Sequence, residues 1–202
     1  MRAILVFAAG AALAGCSGTN PVLVAAPVVG VAAMQKRGMA EAVEDAQTDL
    51  RVKGALFAEH ADLLADVSVE VVEGRVLLTG SVPRQEDRKR AEGLAWSVPT
   101  VRAVVNEITV SEDPGPGALL DDLRISAMVR ARLLRDPDVR SLNFDIETVE
   151  GVVHLMGLAR DAAELEKVTA HAARVRGVVR VISHVYLYDD PRRRVREVPG
   201  AG

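Results

Sequence analysis

Two hydrophobic rhythms alternate along this chain, and their order occurs twice. Val67, Val69 and Val71 are separated by Ser68 and Glu70. This period of two predicts a strand over 67–72, turned at Gly74 and returning antiparallel as Arg75–Thr79. Ser81-Val82-Pro83 then opens a helix in which Glu86 and Asp87 suit the positive N-terminal end and Ala91, Ala95 and Val98 form the inner stripe. Pro99 ends it, and Val101–Val110 reads as a strand with Val104, Ile108 and Val110 on one face. Upstream, Val43, Ala46, Leu50, Val52 and Leu56 recur at helical spacings and predict a first helix over Glu41–His60, with Asp62–Asp66 as a connector. The order is α-β-β-α-β.

The same order returns as Leu119–Arg135, Leu142–Val149, Val152–Met156, Asp161–Arg176 and Val178–Tyr188, with Gly177 as a helix C-terminal cap. Glu73-Gly74-Arg75-Val76-Leu77-Leu78-Thr79-Gly80 comes back as Glu150-Gly151-Val152-Val153-His154-Leu155-Met156-Gly157. Both hairpins keep their glycine spacing, and from there onward the offset is constant: 151 minus 74 and 178 minus 101 both give 77. Upstream, Asp122-Leu123-Arg124 echoes Asp49-Leu50-Arg51 at an offset of 73. That alignment predicts four extra residues in the second copy, within Asp136–Arg140. The Pro/Gly-dense stretch Ser111–Gly117 separates the copies, giving domains over 41–110 and 118–188 with a linker over 111–117. Each domain is near the lower size limit for a self-sufficient core, so the two are expected to pack together.

Composition narrows the function. Of 202 residues, 25 are Lys or Arg and 28 are Asp or Glu, and only 3% are aromatic. No overall basic character or supply of stacking rings supports nucleic-acid binding. A single cysteine, Cys16, excludes an intramolecular disulfide and a thiolate zinc cluster. Arg2, the apolar run Ala3–Ala12 and the small residues after it have the layout of a secretory signal peptide over 1–15. Leu13-Ala14-Gly15-Cys16 resembles the lipobox of bacterial lipoproteins, which implies lipidation of Cys16. Ser17, where inner-membrane lipoproteins often carry Asp, implies the periplasmic face of the outer membrane. Residues 16–40 read as the lipidated N-terminus and an apolar tether. Pro21–Met34 is too short and too broken by Pro21, Pro27 and Gly30 to span a bilayer. It lies against headgroups or packs on the domains. Residues 189–202, with Arg192-Arg193-Arg194-Val195-Arg196, are expected to form a basic disordered tail.

The α-β-β-α-β order, the G-x-V-x-L-x-G strands (Gly74, Val76, Leu78, Gly80; Gly151, Val153, Leu155, Gly157) and the closing Gly177, Val178 and Val181 resemble the BON domain family. The resemblance implies an α+β fold of two tandem αββαβ domains, each a three-stranded mixed sheet covered on one face by two helices. It also implies a protein that binds membrane phospholipid and so supports envelope integrity; such a binding module needs no catalytic residues, and no enzymatic activity or cofactor is expected. Thr100 stands where the second copy has Gly177, which leaves the local turn of the first copy unassigned.

No catalytic constellation emerges from the residues. Of the four histidines, His154 and His184 point away from the helices on their strands and are placed as neighbours on the surface, with no third ligand spaced to make a zinc site. Asp121-Asp122 is assigned to the helix dipole. The first helix of the second copy is more informative. Ile125, Val129 and Leu133 share one face, which suits the sheet, while Leu120, Leu123, Ala127, Ala131 and Leu134 share the opposite face. Arg124, Arg130 and Arg135 flank that second stripe.

A helix on one sheet needs one stripe, so the other meets an anionic phospholipid surface or the first domain. The candidate membrane-binding set is Leu120, Leu123, Arg124, Ala127, Arg130, Leu134 and Arg135. At the offset of 73, the first copy offers Gln47, Leu50, Gly54, Ala58 and Ala61, a smaller stripe without arginines. Trp96 is placed as an exposed or interdomain ring. Val152, Met156, Ile182 and Tyr186 make the outer sheet face of the second copy more apolar than Arg75, Thr79, Val105 and Thr109, so something is expected to cover it. The functional expectation is a lipid-anchored envelope protein docking anionic phospholipid through its second domain. The alternative is a scaffold for envelope proteins, using the same apolar faces.

Overall fold

The structure is a computed structural model that describes residues 38–59, 61–111 and 115–197. The signal peptide, Cys16, most of the tether, His60, the middle of the linker and the last five residues lie outside the described residues. The first domain comprises α1 (Met39–Glu59), α2 (Ala61–Asp66), β1 (Val67–Val72), β2 (Arg75–Val82), α3 (Gln85–Trp96), β3 (Ala103–Asn106) and β4 (Thr109–Val110). The second comprises α4 (Gly115–Arg135), β5 (Phe144–Val149), β6 (Val152–Ala159), α5 (Ala162–Ala173) and β7 (Arg180–Leu187). In each domain the first two strands form an antiparallel hairpin and the last lies parallel to the second. The fold class is α+β with two mixed sheets, as expected, although the first sheet has four strands rather than three because β4 also pairs with β2.

Three local expectations change. The connector over 62–66 is the short helix α2, and α4 begins at Gly115, inside the expected linker. The strand expected over Val101–Val110 is interrupted at Glu107–Ile108, although β3 and β4 both pair with β2. Asn106 explains the interruption: its side chain donates to the Arg88 carbonyl and to Glu92, and accepts from the Ile108 N–H.

The hairpins are held by a device that corrects the sequence register. Glu73 and Gly74 sit at φ 53° and 71°, Glu150 and Gly151 at 51° and 74°. Two consecutive positive φ values are those of a type I′ turn, whose twist matches that of the strands. Asp45 of α1 accepts hydrogen bonds from the Glu73 and Gly74 amides, both at 2.8 Å. Asp122 of α4 does the same for Glu150 and Gly151, also at 2.8 Å. Asp122 therefore serves the hairpin, with α4 starting well before it. Since 122 minus 45 is 77, the offset holds in the helices too.

Other pairs agree with that offset. Val52 and Leu56 are buried as Val129 and Leu133 are. A Cβ on Gly80 would lie 2.0 Å from the Asp66 carbonyl oxygen, and one on Gly157 would lie 2.0 Å from that of Asn143. Only glycine lets the second strand cross so close to the segment entering the first. There is no four-residue insertion; α2 in one domain and a turn with a 3₁₀ segment (Ser141–Asn143) in the other fill the same positions.

Each sheet packs one face on its own helices. Val52, Leu56, Val69, Val76, Leu78, Ala91 and Ala95 build the first core, and Ile125, Val129, Leu133, Ile146, Val153, Leu155 and Val168 the second. Trp96 is partly buried and packs on the first of these rather than standing exposed. The position of Gly177 is filled differently in the two copies. Gly177, at φ 100°, lies against Ile125, whereas Thr100 hydrogen-bonds Thr48, the counterpart of Ile125, at 2.7 Å between hydroxyls.

The outer faces of the two sheets bury each other. Val72 and Leu77 meet Met156 and Leu158, with Val105 and Tyr186 at their margin. The apolar outer face of the second domain is thus covered by the first. Arg75 is buried in this seam, its guanidinium 3.6 Å from the Tyr186 ring centre and donating to the His184 carbonyl at 3.1 Å. Equivalent positions face one another: Glu70 lies near Glu147, and Glu107 lies beside His184. That is the signature of an approximate two-fold relation between the copies.

As far as residue 197, the segment after β7 corrects the expected disordered tail. Pro191–Arg194 is a 3₁₀ turn, and Arg193 is buried in an ion pair with Glu73, its Nε 2.9 Å from Oε2. The Glu197 N–H donates to the Arg102 carbonyl at 2.8 Å. A segment that neutralises a partly buried hairpin carboxylate has reason to be fixed, which a run of arginines does not reveal by itself.

Candidate functional site

With the sheet faces joined, the helices form the outside of the molecule. Leu120 is 67% exposed, Leu123 58% and Leu134 73%. Leu119 and Met128 extend the same surface, and Ala127 is exposed between them. The alternative in which this stripe packs on the first domain does not hold: that contact is made by the sheets. Arg124, Arg130 and Arg135 are all exposed. Arg124 is 3.5 Å from Asp121, and Arg130 donates to the Ile146 carbonyl at 2.5 Å, which fixes its guanidinium near the edge of β5.

The structure adds two cations that the helical wheel did not select. Arg132 and Arg174 join Arg135 in lining a shallow cleft of about 460 Å³ with Asp136, Pro137 and His171, at the end of α4 beyond Leu134. Asp136 is held below the usual carboxylate range, chiefly by its hydrogen bond from His171, 2.7 Å away, and by the Asp138 amide. Arg174 comes from the end of α5, so no pattern along α4 could have found it.

The first copy also leaves an apolar stripe outside. Val43 is exposed, Leu50 is 70% exposed and Phe57 is 60% exposed. At the offset of 77 these positions correspond to Leu120, Ala127 and Leu134, which replaces the weaker stripe expected at 73. The borders differ more than the stripes: Gln47, Lys53 and Ala58 stand where α4 has Arg124, Arg130 and Arg135. Lys53 is in addition paired with Asp49 at 2.8 Å.

The histidine expectation needs correction. His154 and His184 are neighbours, with ring centroids 6.1 Å apart and planes within 6°. They lie inside the seam, His154 being 3% exposed, and Glu107 of the first domain supplies a carboxylate beside them. Sequence reasoning missed Glu107 because nothing along the chain places the break after β3 of one copy opposite β7 of the other. Burial depresses both imidazole pKa values, and Glu107 partly opposes this, so the neutral rings are favoured. At the other edge of the seam, burial and the nearby Asp145 and Glu147 push Glu70 up to about 7. Among the described residues, no helix is long and apolar enough to cross a membrane.

Two α+β domains of one topology, joined face to face by their sheets and presenting helices outward, define a duplicated module. The profile of the BON domain matches residues 44–112 and again 121–186, and the chain belongs to the BON domain family. It is 40% identical over 153 residues, 75% of this chain and all of the relative, to a protein described as uncharacterized, in the gshII 5′ region, from Anaplasma centrale. It is 29% identical over 155 residues to the outer membrane lipoprotein DolP of Haemophilus influenzae, covering 73% of this chain and 76% of that protein. Osmotically-inducible protein Y of Escherichia coli is 29% identical over 139 residues, 67% of this chain and 69% of its own.

Proposed function

We propose that this protein is a lipid-anchored periplasmic envelope protein that docks on anionic phospholipid through α4 and supports outer-membrane integrity. The observation that carries the reading is the apolar stripe of α4, left outside the fold and bordered by Arg124, Arg130 and Arg135. Leucines seated among acyl chains gain from leaving water, and arginines at their border keep their charge at phosphate level. Arg132 and Arg174 widen the basic border at the end of the helix. The envelope assignment is supported by the similarity to an outer membrane lipoprotein. Acyl chains on Cys16 would hold the protein at a membrane, and α4 would provide a second attachment.

A second reading has its own observation. The stripe of α1, with Val43, Leu50 and Phe57 exposed and no arginine border, suits a protein partner better than an anionic surface. An envelope scaffold would use that face. Flotation of the unlipidated protein with vesicles, with and without anionic lipid, separates the two. Binding that requires anionic lipid and weakens with salt supports docking through α4. Failure to float at low salt overturns it.

A further inference from the structure

Glu107, in the break between β3 and β4 of the first domain, and His154 and His184, on β6 and β7 of the second, meet inside the seam between the sheets. One ligand-capable atom from each lies within 4.8 Å of the other two. Ligands in a tetrahedral zinc shell, bonded at about 2.0–2.1 Å, stand roughly 3.4 Å apart, so small side-chain rotations would close the set. The separation between His184 Nε2 and Glu107 Oε1 is already 3.3 Å.

Two ring nitrogens of this cluster lack a hydrogen-bond partner. His154 Nδ1 is buried with no hydrogen-bond partner. His184 Nε2 is within ion-pair distance of Glu107 but is not aligned for a hydrogen bond. A buried ring nitrogen left unpaired costs its desolvation, and native folds normally satisfy such atoms with protein, water or an ion. Two imidazoles and a carboxylate are a borderline-soft donor set of the kind zinc prefers, with a fourth position left for water. Arg75 lies near His184 and Arg180 near His154, and both disfavour added positive charge. Glu107 is therefore the necessary anionic member, and its partial exposure provides the path by which an ion enters.

We propose that Glu107, His154 and His184 bind one zinc-class divalent cation that clasps the first domain to the second. Two ligands come from one domain and one from the other, so occupancy rigidifies the sheet-to-sheet seam rather than either domain alone. The inference is independent of the lipid reading.

The test uses the untagged two-domain protein, stripped with chelator and titrated with zinc chloride in a calorimeter. Thermal unfolding is followed in parallel, and cobalt(II) serves as a spectroscopic substitute. The expected result is one zinc per chain, the visible bands of four-coordinate cobalt, and an unfolding temperature raised by several degrees at zinc well above Kd. Glu107→Gln and His184→Gln should each abolish the cobalt bands and the thermal shift, whereas His171→Gln, on a distant pair with Asp136, should change neither. If His154→Gln does not fold, the partly exposed Glu107 still decides the matter. Absence of zinc binding to the parent protein, or binding that survives both Glu107→Gln and His184→Gln, overturns the proposal.

Discussion

Helices α1 and α4 are the same length, 21 residues, and occupy the same place over the first strand of their sheets. Their inward faces are interchangeable in role: Asp45 and Asp122 hold the hairpin turns, while Val52 with Leu56 and Val129 with Leu133 fill the cores. Their outward faces are both apolar. What separates them is the border of that outward stripe, where Gln47, Lys53 and Ala58 of α1 stand against Arg124, Arg130 and Arg135 of α4. An exposed apolar stripe is thus shared by both copies and cannot by itself distinguish them; the arginines can.

The inward equivalence is tested by the largest expected effect. Leu56 and Leu133 are both fully buried. Leu56→Ala and Leu133→Ala should each destabilise the protein by about 3–4 kcal/mol, from lost transfer energy and an unfilled cavity. Denaturant unfolding measures both, and losses that differ by more than about twofold would break the equivalence of the two faces.

The outward difference is tested by charge. Replacing Arg124, Arg130 and Arg135 together with Gln should weaken binding to anionic vesicles about a hundredfold, at about fivefold per arginine near the surface. The salt dependence of flotation should flatten with it. Gln47→Arg with Ala58→Arg should in turn confer measurable anionic binding on α1 in that triple variant. If the triple arginine variant floats as before, the border is not what distinguishes the helices.

The strands and hairpins were legible because their rule is local: Val67, Val69 and Val71 alternate, and Glu-Gly recurs at the turns. The helical register was not. A short likeness, Asp49-Leu50-Arg51 to Asp122-Leu123-Arg124, suggested 73, whereas the constraint that fixes the register is a carboxylate reaching a turn 28 residues away for Glu73 and Glu150 alike. Glu107 and the docking of Arg193 escaped for a related reason, since each depends on how the two domains meet. The α4 stripe could be read from the wheel because one sheet can cover only one side of a helix. Its cationic neighbour Arg174 could not, because it comes from another element.

The two-fold seam sets equivalent carboxylates against each other, and this predicts a pH effect of intermediate size. Glu70, pushed up to about 7 by burial and by Asp145 and Glu147, favours its protonated form in the folded state. A carboxyl raised above its ordinary value of 4.5 costs stability as pH rises from that value through 7. Glu70→Gln should therefore stabilise the protein by roughly 1–3 kcal/mol at pH 8 and by less than about 1 kcal/mol at pH 5. The histidines act in the opposite direction: their depressed pKa values give stability that is intact above their ordinary 6.5 and is lost as pH falls below it. Thermal unfolding across pH 5–8 reads both. A Glu70→Gln variant that is equally stabilised at both ends would show that the carboxylates do not oppose each other across the seam.

The smallest effect on stability carries the sharpest comparison. Leu120 and Val43 occupy equivalent, exposed positions on α4 and α1. Leu120→Gln and Val43→Gln should each change stability by no more than about 0.5 kcal/mol, because neither side chain fills a core. Their effects on membrane binding should differ. Leu120→Gln removes an apolar group bordered by arginines and should weaken flotation with anionic vesicles several-fold, while Val43→Gln should leave flotation unchanged. Equal losses from both would mean that the membrane meets the two stripes alike, and that the arginine border is incidental to where the protein docks.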